Sequence, residues 1–171
     1  MKKLGFVAVC LLIMLYACTK GATYGGHGTI YATVNGAVDT FSANVVALKD
    51  STDTTFTLSV VGFKPDLGDS ANGGFESAEV GFQITSPQHI TAGTYVNDTT
   101  TGNLLTMLYI PANKVVYDSV VPGTANQPSV TITSITSTKV IGTFSGFAFY
   151  ADSTNPTKVT IANANFTASF P

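Results

Sequence analysis

SVTITSIT (Ser129–Thr136), VIGTFSGFAFY (Val140–Tyr150) and KVTIANANFTASF (Lys158–Phe170) are the runs whose reading decides the fold. Thr, Val, Ile and Phe dominate them, residue types that suit a pleated, half-buried surface. Ser137-Thr138 and the stretch from Asp152 to Pro156 supply turns between them. Side chains on a strand alternate between its faces with a period of two. In the last run the apolar set changes parity: Val159 and Ile161, then Phe166, Ala168 and Phe170. A parity change inside one strand predicts a β-bulge, here near Asn163. In the middle run Phe147 and Phe149 share one face, while Phe144 and Tyr150 share the other. A strand apolar on both faces is either central and buried or meets a partner.

The same pattern extends back through the chain. Ile30, Ala32 and Val34 alternate with Thr29, Tyr31 and Thr33, and Asn35-Gly36 follows at once. Both residues of that pair tolerate positive φ, which predicts a two-residue hairpin into a return strand over 38–44. Val45 to Lys49 continues as strand or as a bulged extension. Phe56, Leu58 and Val60 alternate with Thr55, Thr57, Ser59 and Val61. Pro65, Gly68, Gly73 and Gly74, with Asp66, Asp69 and Asn72 among them, predict a loop over 64–74. Further strands are expected over 76–84, 92–96, 104–110 and 115–118, with a second long loop over 120–127. No helical periodicity is found beyond the first residues. Short strands with turn signals between them are the pattern of a sandwich or a barrel. We therefore expect an all-β fold, an antiparallel β-sandwich of about eight to ten strands, with a closed calycin-like β-barrel as the alternative.

The chain opens differently. Lys2 and Lys3 precede an apolar run from Gly5 to Tyr16, shorter than the ~20 residues that cross a membrane as a helix. Its length and charge order are those of a secretory signal peptide. The run closes in Leu15-Tyr16-Ala17-Cys18, which resembles a bacterial lipobox. That resemblance implies cleavage after Ala17 and a diacylglycerol on the Cys18 sulfur; Tyr16 stands where a small residue is usual. One acyl chain is a reversible anchor, and two or three hold a protein on a bilayer. The alternative is an ordinary cleaved signal with a chance cysteine. Residues 1–17 then form the signal and 18–27 a Gly-rich tether reaching on the order of 17 Å. Residues 28–171 form a single all-β domain.

Composition narrows the function classes. The chain has 171 residues, 44% hydrophobic and 11% charged, which is the balance of a cored domain and not of a disordered one. It carries no arginine and a net charge of −2, so no basic face for nucleic acid is expected. The two cysteines, Cys10 and Cys18, lie in the signal and at its end. The folded domain is thus expected to be free of thiols and disulfides.

ATVNGAVDTFSAN (residues 32–44), AGTY (Ala92–Tyr95) and the closing VIGTFSGFAF and NANFTASF segments resemble a family of small uncharacterised all-β bacterial lipoproteins. In those chains an early VNG hairpin, a middle AGTY step and a C-terminal hairpin recur. Asn163-Ala164-Asn165-Phe166 stands where the family often has Gly before Phe. The resemblance implies the all-β fold and no transferable activity; with the lipobox it gives the expectation of a lipid-anchored protein of the cell envelope, at the outer membrane of a Gram-negative bacterium. Thr19-Lys20-Gly21 lacks the acidic run that marks surface export in some such lipoproteins.

Candidate sites are sparse. Gly68-Asp69-Ser70 evokes a serine hydrolase, but the mechanism needs an oriented His base, and only His27 and His89 exist. Asp66 and Asp69, like Asp50 and Asp53, are weak calcium candidates without a full ligand loop. Tyr95, Tyr109 and Tyr117, with Tyr31 and Tyr150, are candidates for a sugar-stacking platform or a protein contact; core packing is the plainer reading. No catalytic residue, cofactor or metal is expected. The expected role is a non-catalytic, lipid-anchored cell-envelope module that binds an envelope protein or a glycan or serves as a structural accessory. A small hydrophobic-ligand carrier with a barrel cavity is the alternative, and a hydrolase the third choice.

Overall fold

A computed structural model describes residues 27–64, 78–112, 115–119, 127–150 and 157–171. Among these the chain is all-β, with no helix and eleven strands. They are β1 (Thr29–Val34), β2 (Ala37–Phe41), β3 (Ala43–Ser51), β4 (Phe56–Phe63), β5 (Glu79–Ser86), β6 (Gly93–Val96), β7 (Leu104–Ile110), β8 (Tyr117–Asp118), β9 (Ser129–Ile135), β10 (Lys139–Tyr150) and β11 (Lys158–Ser169).

Two layers are linked into one hydrogen-bonded sheet. The first has the order β2-β1-β11-β10-β9-β6, and the second β3-β4-β5-β7-β8. Every pairing is antiparallel except one: Ser169 at the end of β11 meets Val46 of β3 in parallel. At the opposite corner β8 joins β10 through Tyr117 and Asp118. These two short contacts close a ring of seven strands, β11-β3-β4-β5-β7-β8-β10. The expected sandwich of eight to ten strands is thus eleven strands of mixed sense.

The ring encloses a filled interior. Ile30, Phe41, Val45, Leu58, Val80, Ile84, Met107, Val130, Ile132, Val140 and Ile161 are buried. Across the middle, Phe82 of β5 meets Phe144 of β10 at 5.3 Å and Phe166 of β11 at 5.0 Å between ring centroids. Those distances lie in the range of favourable aromatic pairs.

The Asn35-Gly36 turn has the predicted geometry: φ is 49° and 86°, and Val34 pairs with Ala37. Its Asn35 also accepts the Thr160 N–H on Oδ1 at 2.8 Å, which docks the hairpin tip on β11. The predicted bulge is at Asn163, where φ is 51°. Phe144 pairs with Ala164 but Gly146 pairs with Ile161, so β11 carries one extra residue. The β1 ladder shifts at the same place, from Tyr31–Asn165 to Thr33–Ala162. Inward positions are Val159 and Ile161 before the bulge, and Ala164, Phe166 and Ala168 after it.

One expectation needs correction. The return strand expected over 38–44 is two strands in two layers. β2 ends at Phe41, exposed Ser42 lies between, and β3 begins at Ala43. Asn44 adopts φ 49° at this corner and adds a bulge opposite β4. Phe41, Val45 and Ala47 keep one parity through the bend, so the pattern reads as one strand although the chain changes layer. Close approach also shapes the entry to β1: a Cβ on Gly28 would lie 2.2 Å from the Thr167 carbonyl oxygen.

Two substitutions test this account by urea unfolding of the full chain. Phe82→Ala should lower stability by about 3–5 kcal/mol, because it opens a cavity between the layers. Val38→Ala, at a side chain 78% exposed, should stay within about 0.5 kcal/mol. At the bulge, Asn163→Val should cost about 1–2 kcal/mol, since a β-branched residue is strained at positive φ, whereas Asn163→Gly should be close to neutral.

Candidate functional site

Several sequence candidates, Ala17, Cys18, Asp66, Asp69 and Ser70, lie outside the described residues. Of the rest, Asp50 accepts the Ser51 N–H at the end of β3. His89 stacks on Phe56 at 4.0 Å between ring centroids. The His27 carbonyl accepts the Ser169 hydroxyl at 2.6 Å, which fastens the chain to the end of β11 before β1 begins. Among the described residues no group of three or more His, Cys, Asp or Glu is placed to hold a metal ion. Asp98 shapes the link between β6 and β7. Its carboxylate accepts the Thr100 N–H at 2.8 Å and the Thr101 hydroxyl at 3.0 Å, which holds its pKa below the ordinary range.

The tyrosines separate into three places. Tyr95 on β6 is tied down locally: its hydroxyl donates to the Thr91 carbonyl at 3.0 Å and accepts the Thr91 N–H at 2.9 Å. Tyr109, Tyr117 and Tyr150 sit side by side on β7, β8 and β10. Their centroids are 6.2 Å and 6.0 Å apart. Strand pairing dictates this, because Tyr109 pairs with Tyr117 and Tyr117 with Tyr150. The three are partly buried. At the same end of the layers, Lys64 Nζ reaches Asp39 Oδ1 at 2.6 Å, joining the end of β4 to β2. Burial pushes the Tyr109 phenol above its ordinary pKa. The Asp39 carboxylate adds to this, and the Lys64 ammonium partly offsets it.

Tyr31 belongs to a different surface. On the outward face of the first layer, strand pairing aligns Thr94, Thr131, Thr143, Asn165, Tyr31 and Thr40 in one row across six strands. Thr94 and Thr131 join hydroxyls at 3.0 Å. A neighbouring row holds Ile141, Thr167 and Thr29. Thr143, Asn165 and Tyr31 of the first row and Ile141, Thr167 and Thr29 of the second line a shallow groove of about 500 Å³, with Thr133, Gly28, Gly142 and Phe166. Sequence reasoning gave Tyr31 no neighbours and missed the groove. The signal was present as T-x-Y-x-T at 29–33, T-x-T at 131–133 and N-x-T at 165–167, but strand order alone brings these together.

Compared with protein-family models, curated proteins and solved structures, the chain matches none.

The raised Tyr109 pKa gives a pH prediction. A phenol whose folded pKa exceeds its unfolded value of about 10 contributes stability that is present below pH ~10. That stability is lost as pH rises through the folded value. Urea unfolding at pH 9 to 12 should therefore show a decline that is smaller in Tyr109→Phe. Ultraviolet titration of the native protein should show one late-ionising phenol that is missing from Tyr109→Phe.

Proposed function

We propose that this protein is a lipid-anchored cell-envelope module with a binding or structural accessory role and no catalytic activity. The observation that carries the reading is the order of signals at the start: Lys2-Lys3, a short apolar run, then Leu15-Tyr16-Ala17-Cys18. On this reading Ala17 is the last residue removed and Cys18 becomes the acylated first residue. Two or more acyl chains on it hold the domain at the membrane. The resemblance of the 32–44, 92–95 and C-terminal segments to small all-β bacterial lipoproteins supports the same reading, with the outer membrane of a Gram-negative cell as the proposed location.

Binding at the surface is favoured over carriage of a hydrophobic ligand inside. A carrier needs an apolar cavity among its strands. Here Phe82, Phe144 and Phe166 occupy the middle of the interior and touch one another. Available binding surfaces are the outward groove and the tyrosine cluster.

Detergent phase partition of the native protein tests the anchor. The wild-type chain should enter the detergent phase and Cys18→Ala the aqueous phase. Mass analysis of the mature N-terminus should show acylated cysteine. An unmodified thiol there, or a Cys18→Ala variant that still partitions into detergent, would refute it.

A further inference from the structure

We propose that the outward face of the first layer is a binding surface for a neutral glycan chain, laid across the strands over Tyr31 and Asn165. The proposal deepens the reading of this domain as an envelope binding module, and it does not need the lipid.

The first argument is the chemistry of the groove. Its side chains are hydroxyls, one amide, one phenol, one isoleucine and one phenylalanine; none is Asp, Glu, Lys or His. A hydroxyl both donates and accepts, as do the hydroxyls of an uncharged sugar. Part of this capacity is already used: Thr133 donates to the Ile141 carbonyl at 3.1 Å, and Asn165 Nδ2 donates to the Asn163 carbonyl at 3.0 Å. The hydroxyls of Thr29, Thr143 and Thr167 bond no other described residue.

The second argument is shape. The lining residues span four neighbouring strands, β9, β10, β11 and β1; spaced about 4.8 Å apart, these give the groove a length of roughly 14 Å, room for two or three sugar units. The groove volume of about 500 Å³ falls within the range of small-ligand sites. Tyr31, 54% exposed, presents a ring face against which the C–H face of a sugar can pack.

Charge separates this ligand from others. A phosphate-bearing or uronic-acid polymer calls for cations. Two lysines lie on this outward face outside the groove lining: Lys139, one row beyond Ile141 and paired with Ser169, and Lys158, placed over the Phe147 ring at 4.3 Å. A protein partner would instead seek a desolvated apolar centre, and here threonines occupy it.

Isothermal titration of the full chain in a polyoxyethylene detergent, which carries no sugar, tests this. The probes are cellohexaose, mannohexaose and maltohexaose, with hexagalacturonate as the charged control. At least one neutral hexamer should bind with a Kd below about 1 mM. Tyr31→Ala should weaken that binding by about tenfold or more, and Thr143→Val by about two- to tenfold. Leu48→Ala, on the other layer, should leave it unchanged. Absence of binding to all three neutral hexamers overturns the proposal. So does preference for hexagalacturonate, or binding that Tyr31→Ala leaves intact. Sedimentation showing a dimer that Tyr31→Ala dissolves, without sugar binding, assigns the face to self-association and also overturns it. Cys18→Ala reports on the anchor alone: its sugar affinity should equal that of the wild type whichever phase it enters.

Discussion

The ladder between β10 and β11 is the constraint from which the remaining structure hangs. It runs from Lys139–Ser169 to Phe149–Lys158. Each strand is twelve residues long, and each offers its outer edge to two partners in succession. β10 pairs with β9 along its first half and with β8 at its end. β11 pairs with β1 along its middle and touches β3 at its end. The extra residue at Asn163 increases the local twist and bends β11, and both β1 and β10 follow it through that bend.

The corners are weak in hydrogen bonds, so packing between layers must hold the two faces together. Burial of a Phe side chain contributes about 1.5–3 kcal/mol, and three phenylalanines converge at the centre. Gly62 and Gly142 adjust this packing from both sides. A Cβ on Gly62 would meet Ile30 at 3.0 Å, and one on Gly142 would meet the Thr131 carbonyl oxygen at 2.2 Å and the Phe166 ring at 2.8 Å. Cores are packed to the density of organic crystals, and these two positions leave no slack. With the middle filled, the surfaces open to solvent are the outer faces and the strand ends.

Those two regions differ in chemistry. The tyrosine cluster adjoins an ion pair, Lys64–Asp39, and lies partly under cover. The outward groove is open and neutral. Two edge strands bound the first layer, β2 and β6, and both are short. Short edges limit pairing with other chains. Lys49 places its ammonium 4.0 Å from the Phe170 ring and donates to the Thr136 carbonyl, tying β3 to the start of β10. Such contacts fasten the rims where ladder bonds are few.

The amino-acid order by itself determined the strand content, the Asn35-Gly36 hairpin, the inward sets Ile30-Ala32-Val34 and Leu58-Val60, and the bulge at Asn163. Each follows from period-two alternation or from a local φ preference, and both are properties of neighbours in sequence. It did not disclose the corner at Ser42, because Phe41, Val45 and Ala47 keep one parity through the change of layer. It could not reveal that Tyr117 lies between Tyr109 and Tyr150, or that Tyr31 stands in a row of threonines. Those placements depend on strand order and register between separate segments, in the case of Tyr31 and Asn165 more than a hundred residues apart. Only the burial of two facing layers selects that register, since a slip of one residue would turn each apolar set toward water.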